Sequence, residues 1–296
     1  MQLILASNVL EHKHFPDFMR DMRARHRGAW CVISGDLLNV FPEPGEDLCG
    51  SIFHELYGDV IVSGLDALVR DRFKSVKDSI LLPFLRNMFL PTGSHYQQAK
   101  EIAQRRYRRL FDRIENARVL FIPGNMDFPR ESEKCIIGRP NLVQLDQEIL
   151  EISSYKIGGV GGIPNTCHPF RGLVEISPYE MHEEEYRRRL FALTGVDVLL
   201  THLSPEESPA LAEFLRDTPV KLLICRAPFN FARSSDFRGA LQVHEVSGKS
   251  VVHVRPFDYP VNNYYVLNLA PDSLSSAQVT MHRWEATVAG QQEMSL

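Results

Sequence analysis

Three polar side chains in this sequence each follow a short apolar run, and their chemical types suit a metal ion. Asp36 follows Val-Ile-Ser-Gly, Asn125 follows Phe-Ile-Pro-Gly, and His202 follows Val-Leu-Leu-Thr. Carboxylate, amide and imidazole groups are common ligands of divalent metals. If the three runs are neighbouring strands, the strand ends bring these groups together. The pattern therefore predicts a candidate metal site.

Short apolar segments rich in Val, Ile and Leu alternate with helical patterns along the chain. The predicted strands are 2–7, 30–34, 118–122, 155–160, 196–201, 220–225, 240–247, 250–255 and 263–269. Amphipathic patterns predict helices over 14–26 and 178–193. Strands alternating with helices indicate an α/β fold with a largely parallel core. A hairpin turn at Ser247-Gly248-Lys249 makes the C-terminal end antiparallel.

Residues 48–116 break this alternation with two long helical patterns. The patterns cover 52–90 and 95–115 and are separated by a Leu-Pro-Thr-Gly break. We interpret 48–116 as a helical insertion within a single domain spanning 1–296. The weakly patterned tail, 285–296, is expected to be flexible.

Composition excludes several functional classes. The 296-residue chain is 44% hydrophobic and 24% charged with a net charge of -4, so no global basic field attracts nucleic acid. No apolar run approaches the roughly 18 residues of a membrane span. The N-terminal residues lack the basic segment and cleavage site of an export signal. Five scattered cysteines fit a reducing compartment, and we expect a cytoplasmic protein.

The three polar-tipped strands also resemble a known superfamily. Strands ending in Gly-Asp, Gly-Asn-x-Asp and Thr-His-x-x-Pro, in that order, are similar to those of the calcineurin-like metallophosphoesterases. A glycine-rich strand end at 158–162 fits the same pattern. The resemblance covers most of 1–270 apart from the insertion. It implies a four-layer α/β/β/α sandwich with two mixed sheets, and two metals that clamp a phosphate.

Carried over by position, the resemblance retains only part of the two-metal site. It implies that Asp36 is the bridging carboxylate, Asn125 the amide ligand and His202 an imidazole ligand. These three groups belong to one half of the site. The other half keeps only the bridging carboxylate.

The remaining positions of the superfamily pattern carry residues that do not match it. Asn8 and Leu10 stand where the first aspartate and histidine are expected, and Met126 stands where the catalytic histidine is expected. Ala227 and Phe229 stand at the two late histidine positions. Even loss of a group that only supports a metal ligand costs about 10–100-fold in metal affinity. We therefore expect no metal, or one divalent metal (Mn, Fe, Zn or Mg), and a degenerate dinuclear site.

Three functions follow as hypotheses. The first is a binding or scaffold protein that has lost two-metal hydrolase activity and contacts a protein partner through 48–116. The alternative is a phosphoesterase acting on phosphomonoesters or phosphodiesters with a reduced or rebuilt site, for which His168 is a weak candidate for the missing acid. A third is nucleic-acid binding by one arginine-rich helix. Its arginines are Arg105, Arg106, Arg108 and Arg109.

Overall fold

The computed structural model shows two stacked β-sheets with helices on both outer faces. It describes residues 1–40, 50–58, 83–84, 86–167, 177–228, 243–246, 248–254, 257, 263–270 and 273–283. In chain order the strands are β1 (Gln2–Ala6), β2 (Trp30–Ser34), β3 (Val119–Ile122), β4 (Leu142–Gln144), β5 (Ile149–Ile152), β6 (Tyr155–Val160), β7 (Ile163–Pro164), β8 (Glu180–Met181), β9 (Val198–Thr201), β10 (Leu222–Arg226), β11 (Val243–Val246), β12 (Lys249–Val254), β13 (Asn263–Ala270) and β14 (Ser273–Arg283). The helices are α1 (Phe15–Arg25), α2 (Tyr96–Ile114), α3 (Pro129–Ile136), α4 (Glu183–Phe191) and α5 (Pro209–Asp217). Residues 52–58 and 86–89 are also helical.

Each main sheet is mixed and has six strands. The first has the order β14-β13-β1-β2-β3-β4, and the second has the order β11-β12-β10-β9-β6-β5. Strands β1 to β4 run parallel, as do β6, β9, β10 and β12, while antiparallel strands complete each sheet. The polar residues singled out in the sequence, Asp36, Asn125 and His202, follow the carboxyl ends of β2 and β3 in one sheet and of β9 in the other.

The alternation of side chains along each strand separates three cores. In β1, Leu3 and Leu5 face the second sheet, where they pack in one cluster with residues such as Leu200 and Ile224. The intervening Ile4 packs with the helices that cover the first sheet. A third cluster joins α4 and α5 to the outer face of the second sheet. The predicted four-layer α/β/β/α sandwich with two mixed sheets is therefore confirmed.

Part of the predicted insertion belongs to the helical layer of the first sheet. Helix α2 buries Tyr107, Leu110 and Phe111 in the same core as β2 and β3. Met88 and Phe89 are buried in that core too. Most of the predicted helix 52–90 lies outside the described residues, as does the tail 285–296.

Several elements differ from the sequence prediction. Strands β4 and β5 were not predicted, because each lies at the edge of its sheet and is not a continuous buried apolar run. The helix predicted over 178–193 begins only at Glu183, after β8. The reason is local, because the His182 side chain caps the helix by accepting a hydrogen bond from the Glu184 N–H.

Within the described residues, no helix combines the length and apolar character that crossing a membrane requires.

Candidate functional site

Asp36, Asn125 and His202 meet in one place between the two sheets. The His202 Nε2 atom lies 3.1 Å from Asn125 Oδ1 and 3.5 Å from Asp36 Oδ2. Asp36 and His202 are buried, with exposed fractions of 6% and 1%. Each of the three residues lies one to three positions after the carboxyl end of its strand. The pairing and stacking of the strands therefore set the distances between the three side chains. Their role as metal ligands stays a prediction.

Two glycines make this close approach possible. A Cβ atom on Gly35 would lie 2.1 Å from His202 Nδ1, and one on Gly124 would lie 2.1 Å from Asp36 Oδ1. Gly35 also has a φ of +89°, which disfavours residues with a side chain. The Gly-Asp and Gly-Asn motifs are therefore explained by packing as well as by turn geometry.

The hydrogen bonds around His202 determine which nitrogen carries the proton. Nδ1 lies 3.0 Å from the Ser34 carbonyl oxygen, which can only accept, so Nδ1 is the donor. In the neutral ring, Nε2 then holds a lone pair directed toward Asn125 and Asp36. Burial, together with the positive charge of Arg226, lowers the pKa of His202 to about 3. The ring is neutral at pH 7.

The Asp36 carboxylate already has hydrogen-bond partners within the chain. The Met126 N–H donates to Oδ1 at 3.1 Å, and the Asn8 amide donates to Oδ2 at 3.3 Å. Burial raises the pKa of Asp36 to about 6, while the Met126 N–H and the charge of Arg226 oppose that rise. The resemblance expects an aspartate metal ligand at position 8, on this side of Asp36. The structure has the Asn8 amide there instead, and it donates a hydrogen bond to Asp36.

The loop after β1 is built against the loop after β2. The N–H groups of Asn8 and Leu10 donate to the carbonyls of Gly35 and Asp36 at 3.0 and 3.1 Å. Asn8, Leu10 and Asp36 have φ values of 47°, 48° and 49°, so each is in the left-handed region. The Leu10 side chain is buried, with 9% exposed. A hydrocarbon group thus fills the position where the resemblance expects a histidine ligand.

Asp127 joins the two loops, although the sequence reasoning gave it no role. Its carboxylate accepts from the N–H groups of Leu37 at 3.0 Å and Gly124 at 2.8 Å, and from the Tyr107 hydroxyl at 2.9 Å. The residue is fully buried. Burial, together with the Asp36 charge, raises the pKa of Asp127 to about 7. Asp127 therefore fixes the backbone on which Asp36 stands.

Arg226 is a second residue that the sequence reasoning missed. It ends β10, and only 8% of it is exposed. Its Nη2 donates to both carboxylate oxygens of Glu207 at 3.1 Å, and its Nη1 donates to the Ala227 carbonyl at 2.8 Å. The adjacent Ala227 is buried and uses its N–H to bond the Val254 carbonyl. A fixed cation therefore lies where the resemblance expects metal-binding histidines to begin.

The remaining predicted positions contribute no proton donor within the described residues. Met126 is partly buried, and its side chain packs against the core of the first sheet. A thioether cannot donate a proton, so Met126 cannot act as the catalytic acid. His168 and Phe229 lie outside the described residues.

These donors do not fit a two-metal centre. Among the described residues, no group of three or more His, Cys, Asp or Glu side chains is placed to hold a metal ion. Asp36 is the only carboxylate at the three converging positions, and Asn8 and Leu10 add no anionic ligand. The half-site of Asp36, Asn125 and His202 offers two oxygens and one nitrogen, a donor set compatible at most with one ion.

The arginine-rich helix does not present all of its arginines to solvent. Arg106 is only 4% exposed and donates to Glu11 at 2.7 Å and to Glu55 at 2.8 Å. This buried network ties α2 to the loop after β1. The exposed arginines of the helix are Arg105, Arg108, Arg109 and Arg113. Arg105 also pairs with Glu55.

Comparisons with known proteins show the fold. One crystal structure matches with a TM-score of 0.59 and 12% identity, covering 96% of this chain and 99% of the other. The crystal structure of TT1561 of Thermus thermophilus matches with a TM-score of 0.56 and 12% identity, covering 95% and 98%. An archaeal phosphodiesterase has a TM-score of 0.39 and 9% identity over 95% and 100%, too low to support an argument.

No protein-family model and no curated protein matches the sequence. The two stronger structural matches and the sheet topology show a four-layer α/β sandwich with two mixed sheets. At these identities the likeness extends to the fold and not to the activity.

Proposed function

We propose that this protein is a binding or scaffold protein on a metallophosphoesterase-like fold, without two-metal hydrolase activity. The observation that supports it most strongly is the environment of Asp36. The Asn8 amide donates to its Oδ2, and the nearby Leu10 is buried hydrocarbon. A second metal would therefore lack both an anionic and an imidazole ligand on that side.

Met126 supports the same proposal independently. Phosphoester hydrolysis needs a proton for the leaving oxygen, and general acid catalysis typically contributes about 10²–10⁴-fold. Met126 stands at the expected position of that acid and instead uses its backbone N–H to bond Asp36. Loss of the acid and of one metal's ligands removes two separate contributions to the rate.

We place the partner-binding surface in the region 48–116, which includes the exposed arginines of α2. The exposed arginines of this helix include Arg108, Arg109 and Arg113. Arg106 is buried and forms an ion pair with Glu11. A basic row of this kind suits an acidic protein surface. Crosslinking of the full chain to co-purified proteins should give crosslinks in 96–116. Crosslinks confined to other surfaces would count against this site.

A charge-swap experiment tests the role of these arginines, and the salt dependence of binding then separates a protein partner from nucleic acid. Replacing Arg108 and Arg109 by Glu should abolish capture of the partner, whereas the same change at Arg216 and Lys221 should leave it intact. Arg216 and Lys221 are exposed cations on another surface. If the captured ligand is nucleic acid, its affinity will fall steeply with salt, because phosphate contacts release counterions.

The alternative is a phosphoesterase whose site has fewer metal ligands than the superfamily pattern. The convergence of three potential metal ligands favours it. Asp36, Asn125 and His202 would hold one divalent metal, whose chemistry is to polarise a phosphoryl oxygen. The chain's own groups would orient the ester, and His168 is the candidate acid.

A single screen decides between the proposal and the alternative. Phosphomonoesters and aryl phosphodiesters are tested with Mn²⁺ on the unmodified chain, Asp36→Ala and His202→Ala. The proposal predicts that all three preparations give the same background rate. A rate that both substitutions reduce at least tenfold would establish the alternative and overturn the proposal.

A further inference from the structure

We propose that the free edge of strand β5 is a docking site for an extended segment of a partner protein that carries basic and apolar residues. The segment would add to the second sheet as a further strand. Strand β4 ends the first sheet and β5 ends the second, and residues 145–148 join them directly. The inference goes beyond the proposed function, because it does not depend on the metal site or on the arginines of α2.

The backbone of β5 has polar groups without partners along this edge. Within the described residues β5 pairs only with β6, in an antiparallel hairpin closed by the two-residue turn 153–154. In such a hairpin, bonded and non-bonded pairs alternate from the turn outward. Lys156, opposite Glu151, accordingly uses its C=O to accept from the Asp197 N–H on the far side of β6. The N–H and C=O groups of Ile149 and Glu151 therefore point away from β6, toward a further strand.

The side chains of β5 leave apolar surface at the same edge. Ile149 is 48% exposed, and Ile137, immediately after α3, is 78% exposed. They are the two large apolar side chains that are exposed in the described part of the chain. Leu150 and Ile152 pack against the core between the sheets but are only partly buried. A strand added to β5 would cover both of these residues and close the core at this edge.

A groove of about 630 Å³ continues from the beginning of β5. It is lined by parts of α3 and β4, by Ile137, and by Gln147 and Glu148, the two residues that precede β5. A segment that runs along β5 and extends past Ile149 would place its next side chains in this groove. The site therefore accommodates a segment longer than the four residues of β5.

The charges of this edge select the chemistry of the partner. The segment 145–152 contains the acids Asp146, Glu148 and Glu151 and no basic residue. Glu148 and Glu151 are exposed, and neither has an ion-pair partner among the residues that the structure describes. Opposite charges on paired strands stabilise the pairing, whereas like charges destabilise it. A second copy of this chain would bring acids against acids, so a basic segment fits this edge better.

The spacing of the acids predicts the pattern of the partner segment. Glu148 and Glu151 lie three positions apart, with the apolar Ile149 and Leu150 between them. Side chains on paired strands contact the residues directly opposite. The added strand should therefore carry two basic residues three positions apart, with two apolar residues between them.

The test selects a phage-displayed library of random peptides of about 12 residues on the full chain and, in parallel, on Glu151→Pro. The proline removes an outward N–H and is tolerated on the open side of an edge strand. The unmodified chain should enrich peptides with the predicted pattern, and Glu151→Pro should not. The most enriched sequence, made as a synthetic peptide, should bind the unmodified chain with a Kd of about 100 µM or tighter. It should bind Glu151→Pro about tenfold more weakly.

Amide hydrogen exchange followed by NMR locates the bound peptide. Saturating peptide should slow exchange of the Ile149 and Glu151 N–H groups at least about tenfold, since both become hydrogen-bonded. Glu151→Lys keeps its N–H, reverses the charge and should weaken binding about threefold or more. Asp217→Lys reverses an exposed acid that pairs with its neighbour Arg216, and it should leave binding unchanged.

Circular dichroism melts confirm that each variant is folded. If Glu151→Pro does not fold, Ile149→Pro replaces it, because proline is also tolerated at the first residue of a strand. The inference is overturned if the unmodified chain enriches no peptides beyond those of the folded proline variant, or if the enriched peptides lack basic residues. A dimer in analytical ultracentrifugation that the proline variant dissociates would also overturn it, because a second copy would then occupy the edge. None of these results bears on the proposed loss of hydrolase activity.

Discussion

The carboxylate of Asp127 should be one of the most important polar groups for the stability of the candidate site. It is fully buried, and it accepts hydrogen bonds from the loops after both β2 and β3. Asp127→Asn changes one oxygen of the carboxylate into an amide that donates and cannot accept. At least one buried donor must then lose its acceptor, because Gly124 donates to one carboxylate oxygen, whereas Tyr107 and Leu38 donate to the other.

The loss in the free energy of unfolding follows from the number of buried donors that would be left without an acceptor. One buried donor without an acceptor costs about 1–3 kcal/mol, so Asp127→Asn should lower the free energy of unfolding by about 1–3 kcal/mol. Asp127→Ala removes the acceptor for the Tyr107 hydroxyl as well and should cost about 4 kcal/mol or more. Tyr107→Phe should cost about 1–3 kcal/mol, because the Phe128 N–H that donates to the Tyr107 oxygen at 3.0 Å also loses its partner.

Urea unfolding followed by circular dichroism measures these differences as shifts in the midpoint at constant slope. Asp112→Asn is the matched control, since that carboxylate is 61% exposed and pairs only at the surface with Arg139. It should change stability by less than about 0.5 kcal/mol. An Asp127→Asn variant as stable as Asp112→Asn would show this prediction to be wrong, because the loops would then be held by other contacts.

Three further predictions concern the same region. Gly124→Ala should prevent folding or cost about 3 kcal/mol or more in a thermal melt, because its Cβ would lie 2.1 Å from a carboxylate oxygen; Gly195→Ala, whose Cβ meets nothing within 4 Å, should be nearly neutral. Arg106→Ala should cost about 3–5 kcal/mol, since it leaves Glu11 buried without its partner. Burial already raises the pKa of Glu11 against the opposing charge of Arg106, so the variant should lose more stability than the unmodified protein as the pH rises from 4 to 8 in chemical melts; an equal loss would contradict this. Burial and nearby positive charge lower the pKa of His202 to about 3, so the stability that the neutral ring contributes is present above pH 6.5 and is lost as the pH falls toward 3. Between pH 6.5 and 3, His202→Gln should therefore lose roughly 1 kcal/mol less stability per pH unit than the unmodified protein. The same pH dependence of stability in both proteins would contradict this prediction.

The α/β class was predictable because its signals are local, whereas the four-layer sandwich was implied by the resemblance of the strand-end motifs. Each parallel strand is an apolar run, and the polar residue at its end marks the edge where neighbouring strands finish. Asp36, Asn125 and His202 were found in this way, and the structure brings them together. Strands β4 and β5 escaped prediction because they are partly exposed edge strands without the buried apolar run that marks β3 and β9.

Arg226 and Asp127 escaped prediction because their roles arise from tertiary contacts. Arg226 ends an apolar strand, and nothing in that segment indicates its ion pair with Glu207 from another loop. Asp127 was visible in the Gly-Asn-x-Asp motif, but its partners include Tyr107 on a helix 20 residues away. Arg106 looked like a surface cation, whereas two glutamates from distant segments hold it inside. Sequence spacing within one segment contains no information on such pairs.

The manganese content of the purified, unmodified chain tests the proposed loss of the two-metal centre. The protein is incubated with excess Mn²⁺, desalted and analysed by inductively coupled plasma mass spectrometry against protein concentration. We expect at most one equivalent per chain, because Asn8 and Leu10 provide no ligands for the other ion. Two equivalents per chain would contradict the proposal that this fold no longer holds a two-metal centre.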